Sequence, residues 1–155
     1  MKDVSIIIVN YNTADLVLDC VDSIKKSKTK ASFEIIVVDN GSDKKFKKSD
    51  DYRLIENDKN LGFAKANNQG IKMAKGNFVL LLNSDTIVKP GSIDKLISFA
   101  KKNKAAGAVV PKLLNSDETP QPSAFKFPSV WAAIKKYWFL AKGYMDKYVP
   151  NSETV

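Results

Sequence analysis

Along the first hundred residues, apolar runs of strand length alternate with stretches whose apolar residues recur every three or four positions. Residues 4–9 (VSIIIV) form a run rich in β-branched side chains, which predicts a buried parallel strand. Residues 33–38 (FEIIVV) repeat that texture, residues 52–56 (YRLIE) predict a shorter third strand, and residues 78–82 (FVLLL) the fourth and most apolar one. Between the first two strands, Leu16, Val17, Cys20, Val21 and Ile24 share one helical face. A helix capped by Asn12 or Thr13 is therefore expected to run to about Lys26. A second helix is expected to open at residues 61–62 and run through Ala74, with Gly76 as its stop. A third takes Pro90 in its first turn and reaches about Lys102, and a fifth strand is expected over residues 106–111. This alternation predicts an α/β fold: a mostly parallel sheet with helices on both faces.

The texture changes after Pro111, and the chain reads as an α/β domain over residues 1–112 followed by a different segment over 113–155. Residues 115–128 are rich in turn formers and hold three prolines. Trp131, Ile134, Trp138, Ala141 and Met145 then recur at helical spacing, predicting an amphipathic helix with lysines at its flanks. Such a face fits packing on a further portion of protein or on a second subunit, as a dimer. Its tryptophans and lysines also fit peripheral contact with an anionic membrane.

Composition removes several chemistries. The chain has 155 residues, a net charge of +8 and no histidine, which excludes histidine general bases and histidine-ligated metals. A metal would be a hard cation on oxygen ligands. A single cysteine, Cys20, excludes an internal disulfide and reads as a buried thiol. Arg53 is the sole arginine, so the basic charge is lysine, in clusters that read as solvated surface; no nucleic-acid partner is expected. No apolar run approaches the roughly 20 residues of a membrane span, and no signal peptide is evident, so a cytoplasmic location is expected.

Polar residues cluster where the predicted strands end. Asn10, Tyr11 and Asn12 follow the first strand, Asp39-Asn40-Gly41-Ser42 the second, Asn60-Leu61-Gly62-Phe63 the third, and Asn83-Ser84-Asp85 the fourth. Turns alone favour such residues. Four groups at one sheet edge, however, match the place where open parallel sheets bind ligands. The helix start at Gly62 offers free N–H groups suited to a diphosphate. No glycine-rich G-x-G-x-x-G or G-x-x-x-x-G-K-[ST] loop follows the first strand, which argues against a nicotinamide dehydrogenase and a P-loop ATPase.

The stretches VSIIIVNYNT, FEIIVVDNGSDK, NLGFAKANNQGIKMAKGNFVLLLNSDT and VVPKLLNSDETPQPSAFKFPS together resemble glycosyltransferase family 2 of the GT-A fold. The last stretch is similar to a rhamnosyltransferase-like subset. The resemblance implies a Rossmann-like nucleotide-diphospho-sugar transferase fold and transfer of a sugar, with inversion, from a UDP-, dTDP- or GDP-sugar. The acceptor would be a glycan or lipid-linked sugar, in cell-surface polysaccharide synthesis. It implies that Asn10, Tyr11 and Asn12 line the base pocket and that Asp39 accepts hydrogen bonds from the base. Asn60, Gly62, Asn67 and Asn68 would shape the nucleotide site. Asn83, Ser84 and Asp85 stand in the place of a D-x-D motif, with Asp85 as ligand to Mg²⁺ or Mn²⁺. Position 83 is Asn, which leaves Asp85 as that motif's carboxylate. The glycine-rich G-G-F-D-E-like segment and E-D pair of family members do not appear, so a truncated member is expected and no catalytic base is assigned. A non-catalytic nucleotide-sugar-binding module is the alternative, and a pyrophosphorylase-like nucleotidyltransferase a third.

Overall fold

The computed structural model describes residues 1–123, 130, 131, 134, 138 and 147–149. The chain forms two compact units, Met1–Gly107 and Ala108–Val155. In the first, the elements are β1 (Lys2–Asn10), α1 (Ala14–Lys26), β2 (Phe33–Asp39), β3 (Arg53–Glu56), α2 (Phe63–Met73), β4 (Gly76–Leu82) and α3 (Ser92–Lys102). The strands make one sheet in the order β3-β2-β1-β4, with every pair parallel. The chain steps outward from β1 to β2 and β3, then returns to set β4 on β1's other side. Helices α1 and α2 accordingly lie on opposite faces, as right-handed crossovers require.

Strand parity decides what each face buries. Val4, Ile6 and Ile8 of β1 join Ile35 and Val37 of β2 under Val17, Cys20, Val21 and Ile24 of α1 and Ile93 and Ile97 of α3. Ile7, Ile36 and Val38 point the other way, onto Ala66 of α2. Both central strands are therefore apolar on both sides, which is why they read as unbroken runs rather than alternating ones. Each fully buried isoleucine contributes about 1.5–3 kcal/mol relative to exposure.

Several local expectations are corrected. Residues 106–111 join no sheet: Val110 is 75% exposed and Pro111 has no N–H to give a ladder. Gly76 opens β4 and does not cap α2, which ends at Met73 with Ala74 already extended. A Cβ at position 76 would lie 2.5 Å from Ser5 N, so the glycine serves close strand approach. Pro90 precedes α3, whose N-cap is Gly91. Thr13 holds the N-cap position of α1 without a side-chain capping bond; its N–H goes instead to Asn10 Oδ1, at 3.1 Å.

In the second unit, Leu114 bridges Pro120 in antiparallel fashion around a turn closed by Asn115 N–H to Thr119 O. Trp131, Ile134 and Trp138 are helical, as their spacing predicts, as is Val130 before them, with Trp131 and Trp138 exposed; Ala141 and Met145 lie outside the described residues. No helix among the described residues is long and apolar enough to cross a membrane.

Candidate functional site

The register of β1 on β2 sets Asn10 beside Asp39, the last residues of their strands. Both are buried. Asn10 Nδ2 donates to Asp39 Oδ1 at 2.8 Å and to Ser42 Oγ at 3.1 Å, while Ser42 Oγ–H donates to the same Asp39 Oδ1. Asn10 Oδ1 accepts from the N–H and the hydroxyl of Thr13, so the start of α1 hangs from the same residue. Asp39 Oδ2 takes no hydrogen bond among the described residues, and it belongs to a side chain with no unsatisfied buried atom. One carboxylate oxygen is thus consumed by the scaffold and the other is not.

The loops after β1 and β2 are fastened together. Asn12 sits at φ 56° and donates Nδ2 to Asp43 Oδ2 at 3.0 Å, while its Oδ1 accepts Asp43 N–H at 2.9 Å. Asn12 N–H donates to Ser42 Oγ at 2.9 Å. Gly41 lets the second of these loops lie against the turn after β3: its φ is +80°, and a Cβ there would meet the Lys59 backbone at 2.4 Å. This clasp leaves Tyr11 between β1 and α1, half exposed.

An open cleft of about 400 Å³ lies at this edge, bordered by Tyr11, Leu16 and Phe63 on its apolar side and by Asn40, Asn60 and Asn83–Asp85 on its polar side. Leu16 faces this cleft and is 44% exposed, so it leaves the core face of α1 that its spacing predicts. The cleft opens where β1 leads to β2 on one side and to β4 on the other, the switch point at which open sheets bind ligands. At its rim, Gly62 (φ 86°) is the N-cap of α2. The N–H groups of Phe63, Ala64 and Lys65 have no carbonyl partner among the described residues.

Asn83, Ser84 and Asp85 follow β4, and Ser84 Oγ lies 3.3 Å from the Thr13 hydroxyl. Asp85 is exposed and makes no hydrogen bond or ion pair among the described residues. Exposed to water, its charge needs no partner. Beneath it Cys20 is fully buried, its Sγ 3.8 Å from Asn83 O. Burial, and then the charge of Asp85, push the thiol up to about 11, so it stays protonated at neutral pH and is no nucleophile.

Of the residues singled out from sequence, Tyr11, Asn60, Asn83, Ser84 and Asp85 border the cleft. Asn10, Asn12 and Asp39 form the bonded floor behind it. Asn67 does not reach it: it is buried and donates Nδ2 to Phe63 O at 2.9 Å, within its own helix. Asn68 is exposed and away from the cleft. Phe63, Leu16 and Thr13 also border the cleft, although the sequence offers Phe63 only within a strand-end group, Leu16 as a core residue and Thr13 as a helix cap. Phe63 alone carried a signal, as a large apolar residue directly after the helix-opening glycine.

Among the described residues, no three carboxylate or thiol groups converge as a metal site. A divalent cation shared with a diphosphate needs only one or two protein carboxylates, the phosphates and water supplying the rest. The single free carboxylate of Asp85 meets that requirement.

A model of glycosyl transferase family 2 matches residues 5–148. Glycosyltransferase GlyG of Streptococcus pneumoniae serotype 4 is 32% identical over 124 residues, 75% of this chain and 40% of that protein. Poly-beta-1,6-N-acetyl-D-glucosamine synthase of Staphylococcus epidermidis is 29% identical over 150 residues, 91% of this chain and 36% of that protein. The chain thus spans well under half the length of these relatives. Among solved structures, S. aureus TarS 1–349 in complex with UDP-GlcNAc matches with a TM-score of 0.56 at 22% identity, over 71% of this chain and 37% of that one, a likeness of fold.

Proposed function

Because the chain belongs to glycosyl transferase family 2, we propose that it binds a nucleotide-diphospho-sugar and serves inverting transfer of the sugar to a glycan or lipid-linked acceptor in cell-surface polysaccharide synthesis. Its parallel sheet with helices on both faces is the Rossmann-like GT-A arrangement. The observation that carries the proposal is the cleft at the strand switch point. There, an unpaired carboxylate, an open helix N-terminus and exposed aromatic side chains border one space.

In this reading Tyr11 and Phe63 cover the faces of the base, and Asp39 Oδ2 accepts a hydrogen bond from its edge. The free N–H groups of α2 draw the diphosphate. Asp85 would hold Mg²⁺ or Mn²⁺, which supplies charge neutralisation for the leaving diphosphate when bound. Leu16 and Phe63 keep that edge of the cleft dry. The donor is a UDP-, dTDP- or GDP-sugar, and the 109–129 stretch supports a rhamnosyltransferase-like subset. We place the reaction in the cytoplasm, with Trp131 and Trp138 as a contact face for another protein surface in preference to a membrane. Ultracentrifugation with and without anionic liposomes separates those two partners.

Calorimetric titration with UDP, dTDP and GDP, with and without Mn²⁺, tests the donor site. One nucleotide is expected to bind, and more tightly with the metal; equal affinity without metal would remove Asp85 from its role. A second reading, a binding module that does not turn over, is favoured by one fact. Among the described residues, Asp85 is the only carboxylate bordering the cleft, and in this reading the cation claims it. Sugar transfer by the purified chain decides between them.

A further inference from the structure

The turn from Asn57 to Gly62, which carries the chain from β3 into α2, is held chiefly by side-chain amides. Its backbone bond to β2 is Asn57 N–H to Asp39 O, at 2.9 Å. Asn40, the first residue after β2 and 2% exposed, supplies the main tie. Its Oδ1 accepts Leu61 N–H at 3.0 Å and Asn57 Nδ2 at 3.2 Å; its Nδ2 donates to Asn60 Oδ1 at 2.9 Å. Asn60 Oδ1 also accepts Gly62 N–H, at 2.8 Å. Asn57 and Gln69 exchange two amide bonds of 2.8 Å, fixing the turn to α2.

Oxygen and nitrogen of an amide are told apart by their partners, and here two of the partners are backbone N–H groups, which can only donate. Leu61 N–H therefore fixes the oxygen of Asn40, so its nitrogen faces Asn60. Gly62 N–H fixes the oxygen of Asn60 in the same sense. With its oxygen used twice, Asn60 has only its NH₂ left to offer. Asn60 is exposed, borders the cleft, and its NH₂ has no acceptor among the described residues.

We propose that Asn40 is a positioning residue that locks Asn60 as a hydrogen-bond donor to an oxygen of the bound nucleotide. The role rests on the donor-site reading above. The oxygen belongs either to the base or to the phosphates, and both chemistries need the donor that Asn40 enforces. An unlocked Asn60 could turn its oxygen to the cleft and repel either.

The test is calorimetry of UDP with Mn²⁺ on the full chain and on Asn40→Ala, Asn60→Ala, Asn60→Asp and the Asn40→Ala/Asn60→Ala double variant. Uridine and pyrophosphate serve as separate probes. Asn60→Ala is expected to weaken UDP binding about 3- to 10-fold, and Asn40→Ala by a comparable factor. Because one residue acts through the other, the double variant should be no more than about twofold weaker than Asn60→Ala. Asn60→Asp, which keeps the acceptor and loses the donor, should bind no better than Asn60→Ala. The loss should appear with uridine if the base is touched and with pyrophosphate if the phosphates are. Amide exchange should speed up at Leu61 and Gly62 in Asn40→Ala while Ile6–Ile8 stay protected, which a general loss of stability would not produce. Losses that multiply in the double variant, or an unchanged affinity in Asn60→Ala or Asn60→Asp, would overturn the proposal; the last two variants alter an exposed residue and test it even if Asn40→Ala does not fold. If dTDP or GDP is the nucleotide that binds, the same series is run with it; absence of binding of UDP, dTDP and GDP alike by the unsubstituted chain would instead remove the donor-site reading itself.

Discussion

Asp39 divides its work between its two oxygens, and substitutions can separate them. Asp39→Asn keeps an oxygen for Asn10 Nδ2 and the Ser42 hydroxyl and exchanges only the outward atom. UDP binding should fall about tenfold or more while the melting temperature moves by a few degrees at most, measured by calorimetry and thermal denaturation. Asp39→Ala removes both functions. It leaves the buried Asn10 amide short of a partner, so it should also lower stability by about 1–3 kcal/mol in urea titration. Gly41→Ala should cost about 2 kcal/mol or more, because its positive φ and the Lys59 backbone both resist a Cβ. Gly107→Ala, with nothing within 4 Å, is the control and should change little.

At the scale of elements, the junction of α2 and β4 rests on Glu34. Its Oε1 accepts the Ser5 hydroxyl at 2.7 Å and Lys75 N–H at 2.7 Å, while Ser5 Oγ accepts Gly76 N–H at 2.9 Å. Arg53 approaches Oε2 at 3.5 Å and also donates to Met73 O. Burial opposes ionisation of Glu34, but the bonds from Ser5, Lys75 and Arg53 outweigh it and hold the carboxyl below its ordinary 4.5. A depressed folded value means the stabilisation is full above pH 4.5 and fades as the pH falls through the folded value. Glu34→Gln should therefore lower stability most above about pH 5, and the difference from the unsubstituted chain should shrink as the pH falls through the lowered folded value, in urea titrations over the acid range. This junction also shows why some boundaries escape a linear reading. Periodicity located β1, β2, β4 and all three helices, because the core faces repeat at 2 or 3.6 residues. It could not tell that Gly76 serves a close approach to Ser5, since that depends on a residue 71 positions away. Residues 106–111 have strand-like composition, but composition does not supply a neighbouring strand. In the site, the strand-end polar groups were legible as a set. The inward turn of Asn67 and the outward turn of Leu16 depend on helix phase relative to the sheet, which single residues do not carry.

Across the whole molecule, the sheet is unevenly covered. Helix α2 packs over β1 and β2, and β4 is an edge strand among the described residues, with Val79 and Leu81 more than two-fifths exposed on that face. An uncharged apolar edge invites association. Leu81→Lys should leave stability within about 0.5 kcal/mol and raise the concentration at which the chain stays monomeric in ultracentrifugation. The carboxyl ends of β1 and β2 behave differently, because the Asn12–Asp43 clasp joins the two loops by a reciprocal pair of bonds. Neither loop can swing without breaking both, so the segment carrying Tyr11 and the segment that follows Asp39 keep their spacing like the jaws of a caliper set before measuring. On the proposed reading, a nucleotide entering such a gauge would meet a gap already set and would lose little of its contact energy to closing it. Asn12→Ala would turn the gauge into a hinge: a slower, induced mode of binding in which the same contacts form but the association rate falls.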